Sequence, residues 1–168
     1  MNDSCSRRTA LAAASCTALL TACGFELRRV PELQFRTIAF TGFAPRSLML
    51  EELKLNFSGS KSTTVVDTTA QAQVVFEALQ DAREKVASAR NAAGLVQTFQ
   101  LRVRLRYRVS TPGGTVLQPP AELLLVRDMS YSESLALAKE QEEAQLYRVM
   151  QSDIVAQVMR RLATVKLS

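Results

Sequence analysis

A chain of 168 residues with 21 Lys and Arg against 16 Asp and Glu carries a formal charge of +5, contains no histidine or tryptophan, and has three cysteines. Such a length holds one modest domain with a single core. Without histidine, a general base working near neutrality would have to be a carboxylate or lysine with a strongly shifted pKa, which argues against an enzyme before any motif is read.

The first segment reads as an export signal. "MNDSCSRRTALAAASCTALLTAC" runs from Arg7 and Arg8 through a small-residue apolar stretch to Cys23, the layout of a secretory signal peptide. Its apolar run, Ala10 to Leu20, is too short for a permanent membrane span, which needs about 20 apolar residues. Leu20-Thr21-Ala22-Cys23 resembles the lipobox of bacterial lipoproteins, in which the cysteine is acylated and becomes the new N-terminus. Residues 1–22 are therefore expected to leave, and residues 23–34 to form a lipidated tether. Ser6-Arg7-Arg8 leaves the export route open between the general and the twin-arginine pathways. Cys5 and Cys16 go with the signal and Cys23 is consumed by lipid, so no cysteine remains for a disulfide, a metal or a nucleophile. A domain held outside the cytoplasm by two or three acyl chains has no natural encounter with nucleic acid.

Residues 35–168 are expected to fold as one domain. Phe35 to Thr41, closed by Gly42, is short and rich in β-favouring residues and reads as a first strand. Pro45 fits the first turn of a helix whose Met49, Leu50, Leu53 and Phe57 recur at helical spacing and which Gly59 stops. Gln73 to Asp81 is apolar enough for a central strand that runs on toward Ser88. Asn91 to Gly94 is a turn, and Leu95 to Ser110 the next strand. After Thr111-Pro112-Gly113-Gly114 a fourth strand, Ala121 to Ser130, follows Pro119-Pro120. Leu146, Val149, Met150, Ile154, Val158, Leu162 and Val165 form one stripe of an amphipathic helix beginning near Ser134. The expected fold is α+β: a two-layer sandwich of a four-stranded, mostly antiparallel sheet with two helices on one face, in the order β-α-β-β-β-α.

Within the third strand, "FQLRVRLRYRV" alternates apolar residues with Arg102, Arg104, Arg106 and Arg108. On a strand these guanidinium groups form a row roughly 20 Å long on the face away from the helices. The row either meets anions, for which the planar arginine fork is suited, or is a solvated face charged against aggregation.

The two ends of the mature chain carry a family resemblance. "CGFELRR", starting at Cys23, resembles the N-terminal signature of the LptE family of lipopolysaccharide-assembly lipoproteins. "SLALAKEQEEAQLYRVMQSDIVAQVMRRLATV" is similar to that family's C-terminal helix, with Ala136 to Lys139 on its opening motif and Arg160 to Leu162 on its close. Arg29 departs from the pattern by standing where many members have glycine, and Gly24 after the cysteine is similar to lipoproteins released to the outer membrane. The resemblance implies a lipid-anchored protein on the periplasmic side of the outer membrane. It implies that the protein plugs, one-to-one, the lumen of an LptD-type β-barrel, assists the barrel's assembly and binds lipopolysaccharide. No covalent chemistry and no cofactor or metal are implied. It also places Arg90 and Lys139 on basic positions used against lipopolysaccharide, with the four strand arginines as further candidates. Lys139 could instead pair with Glu142 or Glu143 on its own helix.

No serine elbow, phosphate loop or acid/base carboxylate pair appears in the chain, and "RNAAG" and "TPGG" read as turns. A second reading remains: a structural lipoprotein serving another envelope assembly machine, or a peptidoglycan-contacting adaptor. Neither explains both end motifs.

Overall fold

A computed structural model describes residues 32–60 and 62–167. The signal, Cys23 and all of the expected tether but Glu32 to Gln34 lie outside the described residues. The elements in chain order are β1 (Thr37–Thr41), α1 (Leu48–Ser58), β2 (Thr64–Val65), β3 (Val74–Arg90), β4 (Val96–Ser110), β5 (Val116–Ser130) and α2 (Ala136–Leu162), with short 3-10 turns at Thr69–Gln71 and Glu133–Leu135.

The sheet has five strands, not four, in the order β2-β1-β3-β4-β5. It is mixed: β1 is parallel to both β2 and β3, while β3, β4 and β5 form an antiparallel meander. The β1-β2 pairing follows from α1, a helical crossover that returns the chain to the end of the sheet where β1 began, and residues 66–73, with the 3-10 turn at Thr69–Gln71, return it again for β3. The α+β class and two-layer arrangement hold. Both helices bury Met49, Leu53, Phe57, Met150, Ile154 and Val158 with Ile38, Phe76, Leu105 and Tyr107 in one core.

Local sequence explains most boundaries. Ser47 caps α1, its hydroxyl accepting from the Leu50 amide at 3.1 Å and donating to Asp81 on β3 at 2.6 Å. Pro45 thus lies ahead of the cap rather than in the first helical turn. On β5 the strand reaches back through Pro119-Pro120 to Val116. Its place at the sheet edge permits this, because an edge strand has one side with no ladder bonds to lose. In α2 the stripe is buried from Met150 to Leu162, but Val149 is largely exposed, and Val165 is buried beyond the helix end.

A bulge at Leu79, between the pairs Ala78↔Tyr107 and Gln80↔Arg106, reverses the facing of β3. Before it, Phe76 and Ala78 face the helices; after it, Asp81, Arg83 and Lys85 do, opposite Leu105, Val103 and Leu101. One extra residue in a strand of period two necessarily has this effect. Polar side chains are thereby placed under the helices, where each finds a partner: Asp81 with Ser47, Arg83 with Gln151, Lys85 with Glu143.

Among the described residues one buried side-chain polar atom is unpaired. Tyr107 is fully buried and stacked on Phe76 at 4.6 Å, and its hydroxyl has no partner in hydrogen-bonding geometry among the described residues. Burial pushes its pKa above the ordinary tyrosine value, and the nearby Arg161 guanidinium offsets this only in part. Removing an unsatisfied buried hydroxyl recovers its desolvation cost, about 1 kcal/mol or more. Tyr107→Phe is therefore expected to leave stability unchanged or raise it by about that amount, read as the midpoint of urea unfolding. A clear loss would show that the hydroxyl is bonded in solution.

Candidate functional site

The arginine row lies, as alternation requires, on the sheet face opposite the helices. It is not a bare cationic strip. Arg108 pairs with Glu77 at 2.5 Å and Arg104 with Glu122 at 2.6 Å, while Arg102 lies 4.0 Å from Glu84 and donates twice to Gln100 Oε1. Glu77 and Glu84 are an odd number of residues apart and would face opposite ways on a regular strand; the bulge brings both to the arginine face. Arg106 alone has no hydrogen bond or ion pair among the described residues, although Glu122 stands opposite it in register. Val86, Leu124 and Val126 are exposed on the same face. The result is a mixed surface of interlocked charges and apolar side chains.

Arg90 and Lys139, 49 positions apart in the chain, come to one end of the domain, where the β3-β4 hairpin tip meets the end of β5 and the start of α2. Asn91 builds the tip, its side-chain oxygen accepting from the amides of Ala93 and Leu95, and the Arg90 guanidinium donates to the Gly94 carbonyl at 3.0 Å. Arg90 shares a cavity of roughly 260 Å³ with Lys85, Phe99, Tyr131 and Glu133. Lys139 is anchored from the helix side: its ammonium donates to Ser130 Oγ at 2.9 Å and pairs with Glu142 at 2.8 Å. Ser130 adjoins Tyr131, whose ring meets Phe99 edge-on at 5.1 Å.

Lys85 at this end was missed by sequence reasoning. It pairs with Glu143 at 2.5 Å and lies 4.4 Å above the Phe99 ring. No local motif signals it; only the facing of β3 beyond the bulge, a tertiary feature, brings it here. The structure thus puts Arg90 and Lys85 on one cavity, with Lys139 at the adjoining end of β5, and leaves Arg102, Arg104, Arg106 and Arg108 on the face away from the helices.

A groove of roughly 850 Å³ between α1 and α2 is also absent from the sequence reading. Leu48, Leu55 and Ala144 line it, Glu51, Glu52, Glu140 and Glu143 contribute carboxylates, and Arg83 lies beneath, 5.5 Å from the Tyr147 ring. Gln151 closes the floor, donating to Glu52 and to the Leu48 carbonyl. With Arg148 also on its lining, the groove sets four carboxylates against two guanidinium groups. Among the described residues no cluster of His, Cys, Asp or Glu could hold a metal ion, and no helix is long and apolar enough to cross a membrane.

Comparison with known proteins places this geometry. The model of the family described as "LptE: Lipopolysaccharide-assembly" matches residues 35–162. An uncharacterized lipoprotein B from Nitrosomonas europaea is similar in structure, with a TM-score of 0.70 and 29% identity over 83% of this chain and 90% of that one. The rare lipoprotein B of Shewanella oneidensis shares the fold at a TM-score of 0.64 and 17% identity, over 77% of this chain and 95% of its own. A minor lipoprotein from Acinetobacter baumannii does so at 0.62 and 17%, over 79% and 93%. No curated protein matches the chain.

Proposed function

Because the chain belongs to the LptE family of lipopolysaccharide-assembly lipoproteins, we propose that it is anchored through Cys23 to the periplasmic side of the outer membrane, occupies an LptD-type barrel one-to-one, and binds lipopolysaccharide as it passes to the cell surface. One observation carries the binding part: Arg90 and Lys139, remote in sequence, lie at the same end of the domain, Arg90 lining a cavity with Tyr131 and Lys139 bonded to the adjoining Ser130. Each is held by neighbouring groups and still has N–H donors to spare, since a guanidinium offers five and an ammonium three. Lipid A phosphates are matched by such groups through charge-assisted hydrogen bonds.

The arginine face has a different role in this reading. Three of its four cations have carboxylate neighbours, Glu77, Glu84 and Glu122, so the row presents alternating charge and not a run of free guanidinium groups. Its mixture of ion pairs with Val86, Leu124 and Val126 suits the wall of a protein partner, with Arg106 available to an acidic side chain. The domain works by binding and placement, with no covalent step.

The test is charge reversal. Arg90→Glu together with Lys139→Glu is expected to weaken binding to lipopolysaccharide by about tenfold or more, because each lost charge-assisted contact is worth about 1.5–3 kcal/mol in a desolvated site and less at the surface. The thermal unfolding curve should stay close to that of the wild type, since neither side chain belongs to the core. Unchanged binding would remove both residues from the site. Co-purification from solubilised outer membrane tests the partner: recovery with another assembly machine in place of a barrel would favour the adaptor reading.

A further inference from the structure

We infer that Lys85 is a third phosphate-contacting cation at the hairpin end, and that Glu142 and Glu143 of α2 are built-in competitors which an incoming phosphate must displace. This rests on the reading of that end as the lipopolysaccharide-facing one. Lys85 lines the same cavity as Arg90, and the Phe99 ring beneath its ammonium fixes where the charge sits. Its ion-pair partner, Glu143, is one helical turn beyond Lys139, on the same side of α2. Lys139 is in turn paired with Glu142. Two of the three cations are therefore already committed to adjacent carboxylates, and among the described residues the Arg90 guanidinium is bonded only to a backbone carbonyl.

The chemistry of the exchange follows from these pairs. A phosphate carries more oxygens than a carboxylate and can accept from more than one cation at once. Both existing ion pairs are partly exposed, with side-chain accessibilities of 34% and 21% for Lys85 and Glu143 and 16% and 45% for Lys139 and Glu142. Such pairs contribute little and break easily. Trading one set of charge pairs for another leaves a small net gain, and a small net gain lets a ligand go again. A component that passes a glycolipid onward needs reversible capture.

The chain beginning at Gly24, which lacks the acyl anchor that would itself enter any bilayer, is titrated with phosphatidylcholine vesicles carrying lipopolysaccharide, and in parallel with vesicles carrying phosphatidylglycerol. Glu142→Gln with Glu143→Gln is expected to bind lipopolysaccharide vesicles about three- to tenfold more tightly than wild type, the scale of two weak ion pairs. A control of equal charge change away from the hairpin end, Asp67→Asn beyond β2 with Asp153→Asn, 11 residues and about three helical turns past Glu142 on α2, should stay within about twofold. Adding Lys85→Met to the Glu142/Glu143 variant should abolish most of its gain. The same order on phosphatidylglycerol vesicles would extend the site to lipid phosphates in general and still support the exchange. An equal gain in the control, or a gain that survives loss of Lys85, overturns the inference. Failure of wild type and variant alike to bind any vesicle overturns the underlying reading as well, whereas wild-type binding without the gain overturns this inference alone.

Discussion

Gly42→Ala is expected to destabilise the domain by about 3 kcal/mol or more, a large part of the 5–15 kcal/mol typical of a single domain. Two costs add. Gly42 sits at φ +78°, where an L side chain costs about 1–2 kcal/mol. A Cβ there would also stand 2.1 Å from the Ala78 carbonyl oxygen, a backbone atom that cannot swing aside. Relief requires β1 and β3 to part just where Ala78 precedes the bulge, and forcing extra atoms into packed structure costs about 1–3 kcal/mol. Gly114 separates the two contributions. It has φ +88° with nothing within 4 Å of a would-be Cβ, so Gly114→Ala should show the conformational cost alone. Urea unfolding of both variants is the measurement. Equal losses would mean that the contact with Ala78 relaxes freely and that the strand junction is softer than its geometry implies.

The same junction shows where the sequence was legible. β4 was readable to within a residue because its apolar and cationic side chains alternate without a break, and both faces of a strand are then fixed by period alone. α2 was readable because its stripe recurs over several turns. β2 carried no signal at all: Thr64 and Val65 are too few to show a period, and their strand state comes from pairing with β1. The parallel setting of β1 against β3 is likewise a long-range fact. Val149 fits the helical spacing yet is exposed, since a stripe predicts which side of a helix faces the core and not how wide the covered strip is.

Site residues divide along the same line. Lys139 and Arg90 could be proposed from the family resemblance, Lys139 by its flanking motif and Arg90 by its loop, but their arrival at one end of the domain depends on β4 and β5 returning the chain to the start of α2. The carboxylates around the arginine row were hidden more deeply. Glu77 and Glu84 share a face only because Leu79 is bulged out, and a bulge leaves no mark in a pattern of polar and apolar residues. Lys85 depends on that bulge as well, which ties the composition of the cationic end to a backbone irregularity several residues away.

Supplying the protein without its proposed acylation site is expected to have the most complete effect of any change. A chain beginning at Gly24 behind an ordinary cleavable secretory signal should move from the membrane pellet to the soluble periplasmic extract. The reasoning is additive. Among the described residues no helix is long and apolar enough to cross a bilayer, and in the proposed function the attachment is supplied by the lipobox-like Leu20 to Cys23. Each buried acyl methylene contributes about 0.8 kcal/mol, which makes one chain a marginal anchor and two or three a lasting one. Electrostatic attraction of the cationic end to anionic lipid is about 1 kcal/mol per residue near the surface and is screened by salt, so a high-salt wash should release whatever remains bound to the membrane by charge. The folded domain should unfold at the same temperature with and without the anchor, and its binding to lipopolysaccharide vesicles should persist in solution, because Lys85, Arg90 and Lys139 are positioned by β3, β5 and α2 and not by the tether. Retention of the Gly24 form through a salt wash would place the membrane attachment in the domain itself and remove Cys23 from its role.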